Sequence, residues 1–156
     1  MERSTAMTVG GVCKRNVVIA VKNETIVDAA NHMRTGHVGD LVVIETQQNR
    51  RVPVGIITDR DIVVGAVAAN GGHLDTLVVG DIMSPDPATA RETEPLEEAL
   101  KKMQEHGVRR LPVVSGDGTL VGILTLDDAL QVLAEQQAGL AKIVVEEQRH
   151  ERHFRI

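Results

Sequence analysis

Apolar positions along the chain alternate between two spacings, and they do so twice in the same order. Ile26, Ala29, Ala30 and Met33 fall on one face if residues 25–34 are helical, as do Leu96, Ala99, Leu100 and Met103 further on. Continuous aliphatic runs at 41–44, 52–57, 111–114 and 120–124 predict buried strands. Short strands are expected at 17–21 and at the matching 87–90, and helices at 59–69 and 126–137. Thr93 is the expected cap of the later amphipathic helix, with Pro95 in its first turn, and Gly36 and Gly107 are expected to stop the two helices. Ser115-Gly116-Asp117-Gly118 predicts a hairpin turn. Each half therefore reads strand, helix, strand, strand, helix.

The halves also match residue by residue. At an offset of 70 (80 − 10), Gly10 meets Gly80, Val12 Ile82, Ala20 Ala90, Glu24 Glu94, Ala29 Ala99, Met33 Met103, Val38 Val108, Leu41 Leu111 and Val43 Val113. The offset becomes 67 (122 − 55) at Gly55 and Gly122. Such self-similarity predicts two copies of one unit. The expected organisation is a loose leader before residue 9, copies at 9–69 and 79–137, a linker at 70–78 and a helical tail at 138–156. Neither copy holds enough apolar surface for its own core, so an α+β fold follows, with the two packed sheet against sheet.

Composition narrows the choice of function. Phe154 is the single aromatic residue, so the core is aliphatic and lacks rings for stacking nucleic-acid bases. The net charge of −5 argues further against nucleic acid as a partner. Cys13 has no second cysteine to bond, which suits a reducing compartment and a packing role. No apolar run is long enough to cross a membrane and no signal-peptide pattern is visible, so a cytoplasmic protein is expected. His32, His37, His73 and His106 read as surface positions, and His150 and His153 lack a third nearby ligand for a metal. No nucleophile–base set, Walker loop or GxGxxG pattern occurs, so no catalytic residue is assigned and no enzyme is expected.

The densest chemistry lies at Gly55-Ile56-Ile57-Thr58-Asp59-Arg60-Asp61 and again at Gly122-Ile123-Leu124-Thr125-Leu126-Asp127-Asp128. Both spell Gly, two aliphatics, Thr, two residues, Asp, at a strand running into a helix. Thr58 with Asp61, and Thr125 with Asp128, have the spacing of a capping box, which needs no ligand. The same geometry also suits a ligand, since a Thr hydroxyl can meet sugar or phosphate and an Asp carboxylate can accept both hydroxyls of a ribose. Capping alone turns both carboxylates onto their own helix starts.

These motifs resemble those of tandem cystathionine beta-synthase (CBS) domains, the pair called a Bateman module. Val79-Gly80-Asp81-Ile82-Met83-Ser84-Pro85 is similar to the opening of a repeat, and Val108-Arg109-Arg110-Leu111-Pro112-Val113-Val114 to its second strand. The resemblance spans residues 9 to 135 and implies a non-catalytic sensor with no obligatory cofactor. Its ligand would be adenosine-containing: AMP, ADP, ATP, S-adenosylmethionine or NAD. It further implies that Asp61 and Asp128 hold ribose and that Thr58 and Thr125 lie near ribose or phosphate. Adenine would lie against Cys13 and Val18 in one cleft and Met83 and Ala88 in the other. Phosphate would meet Arg109 and Arg110, whose counterparts in the first copy are Gly39 and Asp40. A homodimer is implied through helix faces such as Ile62, Val63 and Ala66 with Ala129, Leu130 and Leu133, as is a regulated protein partner. The competing expectation is an interaction scaffold with vestigial clefts.

Overall fold

The computed structural model describes residues 7–69, 71 and 73–154, with side-chain surroundings as far as residue 152. Most of the expected leader, Asn70 and Gly72 of the expected linker, and the side chains of His153 and Phe154 lie outside the described residues. The chain runs α1 (Val9–Val12), β1 (Ile19–Val21), α2 (Ile26–Gly36), β2 (Asp40–Gln47), β3 (Arg50–Thr58) and α3 (Asp59–Asp61). After α3 comes a wider-wound π-helical segment, Ile62–Ala68, and a 3-10 turn, Leu74–Thr76. The second half runs α4 (Val79–Ile82), β4 (Ser84–Pro85), β5 (Ala90–Arg91), α5 (Leu96–His106), β6 (Arg110–Val114), β7 (Leu120–Thr125) and α6 (Leu126–Phe154).

One sheet has the order β1-β2-β3-β4 and the other β5-β6-β7. In each, the first strand joins the second in parallel and the next two form an antiparallel hairpin. The β2–β3 hairpin is longer than the aliphatic runs predict. It closes through Gln48 and Asn49, both at positive φ (50° and 63°), a two-residue turn matched to strand twist. Alternation along the strands divides the core. Leu41 and Val43 face a cluster with Ile26, Ala29 and Met33 of α2, and Leu111 and Val113 face its counterpart with Leu96, Ala99 and Met103 of α5. Val42 and Ile44 point the other way and meet Ile123, so the sheets do pack face to face. Burying a side chain such as Leu41 or Leu111 stabilises the fold by about 2–3 kcal/mol.

The two halves exchange their opening segments. Val9 of α1 packs in the cluster of the second half, and Val79 of α4 packs in that of the first. β4 pairs with β3, placing Gly55 opposite Pro85, while Lys14 bridges to Ile123 of β7 through hydrogen bonds of 3.0 and 2.9 Å. This explains the glycine of the template. A Cβ on Gly55 would stand 2.5 Å from Met83 Sδ, and one on Gly122 would stand 2.8 Å from the Lys14 carbonyl oxygen.

Several local expectations change. Pro95, not Thr93, is the N-cap of α5; Glu94 beside it accepts a hydrogen bond from the Arg91 N–H instead. The α2 helix passes through Gly36 and ends at His37, which takes the left-handed conformation (φ 53°), whereas Gly107 does end α5. Gly36 is glycine for another reason: a Cβ there would meet Val18 Cγ2 at 2.9 Å. Ala66 and Ala129, expected on a dimer face, are fully buried within the chain. Val63, Val64, Val67, Leu130 and Leu133 remain exposed. Finally, the closing helix and the expected tail form one unbroken helix of 29 residues. No helix among the described residues is long and apolar enough to cross a membrane.

Candidate functional site

Because the openings are exchanged, each Thr–Asp pair faces the opening strand of the other half, and two clefts result. The first, about 450 Å³, has Thr125 and Asp128 on one wall and Val17 and Val18 on the other. The second, about 380 Å³, has Thr58 and Asp61 opposite Pro87 and Ala88. Ile123 floors the first and Ile56 the second, so both combine an aliphatic wall with one carboxylate. Arg109 and Arg110 border both clefts.

The two aspartates are not equivalent. In the second cleft Thr58 Oγ1 accepts from the Asp61 N–H (3.1 Å) and Asp61 Oδ2 accepts from the Thr58 N–H (2.9 Å), a complete capping box. In the first cleft Thr125 Oγ1 accepts from the Asp128 N–H at 3.1 Å, but the reciprocal bond is not made. Asp128 Oδ1 lies 3.3 Å from Lys14 Nζ instead, and its Oδ2 is buried with no hydrogen-bond partner. A buried carboxylate oxygen without a donor is costly, and a hydroxyl in the cleft would satisfy it once the carboxylate turned to meet it. The capping reading therefore describes Asp61 and fails for Asp128.

Between the clefts stands a pair of opposite charges. Arg110 Nε lies 3.6 Å from Asp40 Oδ1, too far for a hydrogen bond, so this buried N–H has no partner either. Asp40 is the counterpart of Arg110 in the other copy (110 − 40 = 70), so the pair straddles the internal pseudo-symmetry. Burial pushes the Asp40 carboxyl above the ordinary range, Arg110 pulls it back, and nearby Asp59 pushes it up further. Arg109 Nη2 lies 3.5 Å from Asp127 Oδ1 at an exposed position.

The structure thus gathers Val18, Thr125 and Asp128 in one cleft, Thr58, Asp61 and Ala88 in the other, and Arg109 and Arg110 at both. Cys13 and Met83 border neither. Their sulfurs lie against the template glycines, Cys13 Sγ at Gly122 and Met83 Sδ at Gly55. Burial raises the Cys13 thiol above its ordinary range, which fits a packing role. Sequence reasoning passed over Lys14, Asp40, His37 and His106 as lining residues. Only the exchange of openings brings Lys14 to Asp128. His37 and His106 stand at or beside the ends of α2 and α5, where each helix turns toward a cleft. No cluster of three or more potential metal ligands occurs among the described residues.

Comparison with known proteins gives a consistent picture. A family model described as the CBS domain matches twice, at residues 9–66 and 79–135. The uncharacterized protein MK0525 of Methanopyrus kandleri is 39% identical over 127 residues, which are 81% of this chain and 63% of that one. The present chain therefore spans less than two thirds of this relative's length. The crystal structure of CBSX2 in complex with AMP, a protein of Arabidopsis thaliana, superposes with a TM-score of 0.69 at 30% identity, covering 83% of this chain and 98% of the other. The CBS domain pair of protein MJ0100, in complex with 5-methylthioadenosine and S-adenosyl-L-methionine, gives 0.71 at 25% identity, covering 84% and 98%.

Proposed function

The chain belongs to the CBS-domain family, and from that premise we propose that it is a regulatory module that senses an adenosine-containing ligand and performs no chemistry on it. The observation that carries this reading is Asp128, whose buried oxygen lacks a partner at the edge of an aliphatic cleft. A ribose diol would give that carboxylate its missing hydrogen bonds. Thr125 would stand beside the sugar, Val17 and Val18 would cover the base, and Arg109 and Arg110 would meet a phosphate. The second cleft would use Thr58, Asp61 and Ala88 in the same way, but its carboxylate must first share or give up the bond to the Thr58 N–H. The first cleft should therefore fill first. The ligands held by CBSX2 and MJ0100 support this class without selecting one member of it.

The test is a thermal-shift series with AMP, ADP, ATP, S-adenosylmethionine and NAD, followed by calorimetry on the best. A ligand at 100 times its Kd stabilises the folded chain by about 2.7 kcal/mol through mass action. Asp128→Ala should abolish most of the shift, and ATP should not be turned over. If none of the five compounds moves the melting point, the sensor reading fails.

One observation favours a second reading, an interaction scaffold. The middle of α6 carries Leu140, Ile143 and Val144 in water, at 64, 63 and 52% exposure. Such a stripe suits a protein partner or a second copy of the chain. Self-association that persists unchanged with every ligand would favour the scaffold.

A further inference from the structure

The clefts have two carboxylates for two sugars but share their strong bases for phosphate. Arg109 and Arg110 border both, and Lys14, the lysine lining the first cleft, is engaged with Asp128 at 3.3 Å. The shared arginines are themselves opposed, Arg110 by Asp40 at 3.6 Å and Arg109 by Asp127 at 3.5 Å. With Lys14, Asp61, Asp86 and Asp128 also lining the clefts, three cationic and five carboxylate side chains leave the groove no surplus of positive charge. A first phosphate entering from either side draws both guanidinium groups and leaves a local excess of negative charge. A second phosphate entering from the other side meets that excess, and charges a few ångströms apart at a partly desolvated site repel appreciably.

We propose that the Arg109–Arg110 pair, opposed by Asp40, makes the two clefts antagonistic toward phosphorylated ligands, so that one nucleotide binds tightly per chain. The other cleft is then left to an adenosine compound without phosphate. This rests on the adenosine-binding reading above and adds to it a rule of stoichiometry set by ligand charge. The coupling is reciprocal, as linkage requires: each nucleotide weakens the other by the same factor. A tenfold effect lies within the usual range for two sites.

The experiment is calorimetry on the full chain with adenosine and with AMP, using Asp61→Ala and Asp128→Ala to isolate each cleft. Adenosine should fill both clefts of the wild type at the affinities of the single-cleft variants. AMP should bind once at such an affinity, with the second event weakened about tenfold or more. Asp40→Asn, which removes one opposing charge and little volume, should narrow the gap between the two AMP events by more than it shifts either adenosine event. A purely structural role for Asp40 would move both ligands together and overturn its part. AMP filling both wild-type clefts at single-cleft affinities would overturn the antagonism while leaving the adenosine reading intact. Binding of neither compound would overturn both.

Discussion

Replacing Asp128 by alanine separates a carboxylate kept for a ligand from one kept for folding. In the unliganded chain the substitution leaves Thr125 Oγ1 free to accept from the N–H of residue 128, so the start of α6 stays capped. It removes a contact to Lys14, whose side chain is 68% exposed, and a surface pair of that kind contributes a few tenths of a kcal/mol. It also removes a buried oxygen that has no donor, which offsets that loss. The expected change in unfolding free energy is therefore within about 0.5 kcal/mol. Binding should suffer far more. A hydrogen bond to a charged group contributes about 1.5–3 kcal/mol, and losing the grip on a ribose diol should cost about 3 kcal/mol, or about 100-fold in Kd. Asp61→Ala should do the reverse to stability, because it breaks a complete capping box and costs about 1 kcal/mol. Urea unfolding and calorimetry on both variants give the comparison. Should Asp128→Ala lose more stability than Asp61→Ala and bind the best ligand unchanged, the distinction between the two carboxylates is wrong.

Other consequences are simpler. Gly122→Ala drives a Cβ to 2.8 Å from the Lys14 carbonyl, a backbone atom, and should cost about 1–3 kcal/mol in urea unfolding. Gly55→Ala meets the flexible Met83 side chain first and should cost less; equal costs would count against the backbone clash. Asp40 has its folded pKa raised, so its contribution to stability is present below the ordinary carboxylate range and is lost as pH rises through the higher folded value. Asp40→Asn should therefore gain stability on the wild type as pH climbs above the ordinary carboxylate value of about 4; a constant difference would show that burial of the charge is not what matters. Truncation after residue 137 removes only exposed turns of α6 and should leave the unfolding free energy within about 0.5 kcal/mol. A loss above 1 kcal/mol would mean that the tail packs on the body.

What the sequence made legible was whatever depends on neighbours along the chain. The spacing of Ile26, Ala29 and Met33 announced a helix, the runs at 41–44 and 111–114 announced strands, and the repeat of Gly–Thr–Asp announced two matching strand-to-helix junctions, each of which borders a cleft. Exchange of the opening segments was hidden, because Val9 and Val79 satisfy an apolar pocket equally well in either half. Cys13 and Met83 were placed beside adenine only as an implication of the family resemblance. Their place against Gly122 and Gly55 follows from pairing across the halves, which local spacing does not encode. Pairing of Asp40 with Arg110 needed the internal symmetry to bring matching residues face to face. The difference between Asp61 and Asp128 was beyond reach as well. Their motifs are alike, and Lys14, the residue that turns one carboxylate away from its cap, comes from the far end of the chain.

That exchange also bears on how a cleft could report its contents. Each cleft takes its carboxylate from one half and its aliphatic wall from the other, so anything bound there touches both. A ligand that contacts both halves has different free energy in each of their relative arrangements, which is the condition for shifting a population of shapes. Asp128 stands in the first turn of α6, and the same helix runs on for 12 to 16 residues (140 − 128, 144 − 128) to the exposed Leu140, Ile143 and Val144. At about 1.5 Å per residue the stripe lies about 18–24 Å along an unbroken helix, so a small rotation at the ligand end becomes a displacement of a few ångströms at the stripe. Under the proposed function, the residue that holds the sugar and the surface offered to a partner lie on one rigid element. The stability of the body and the output of the sensor can then vary independently.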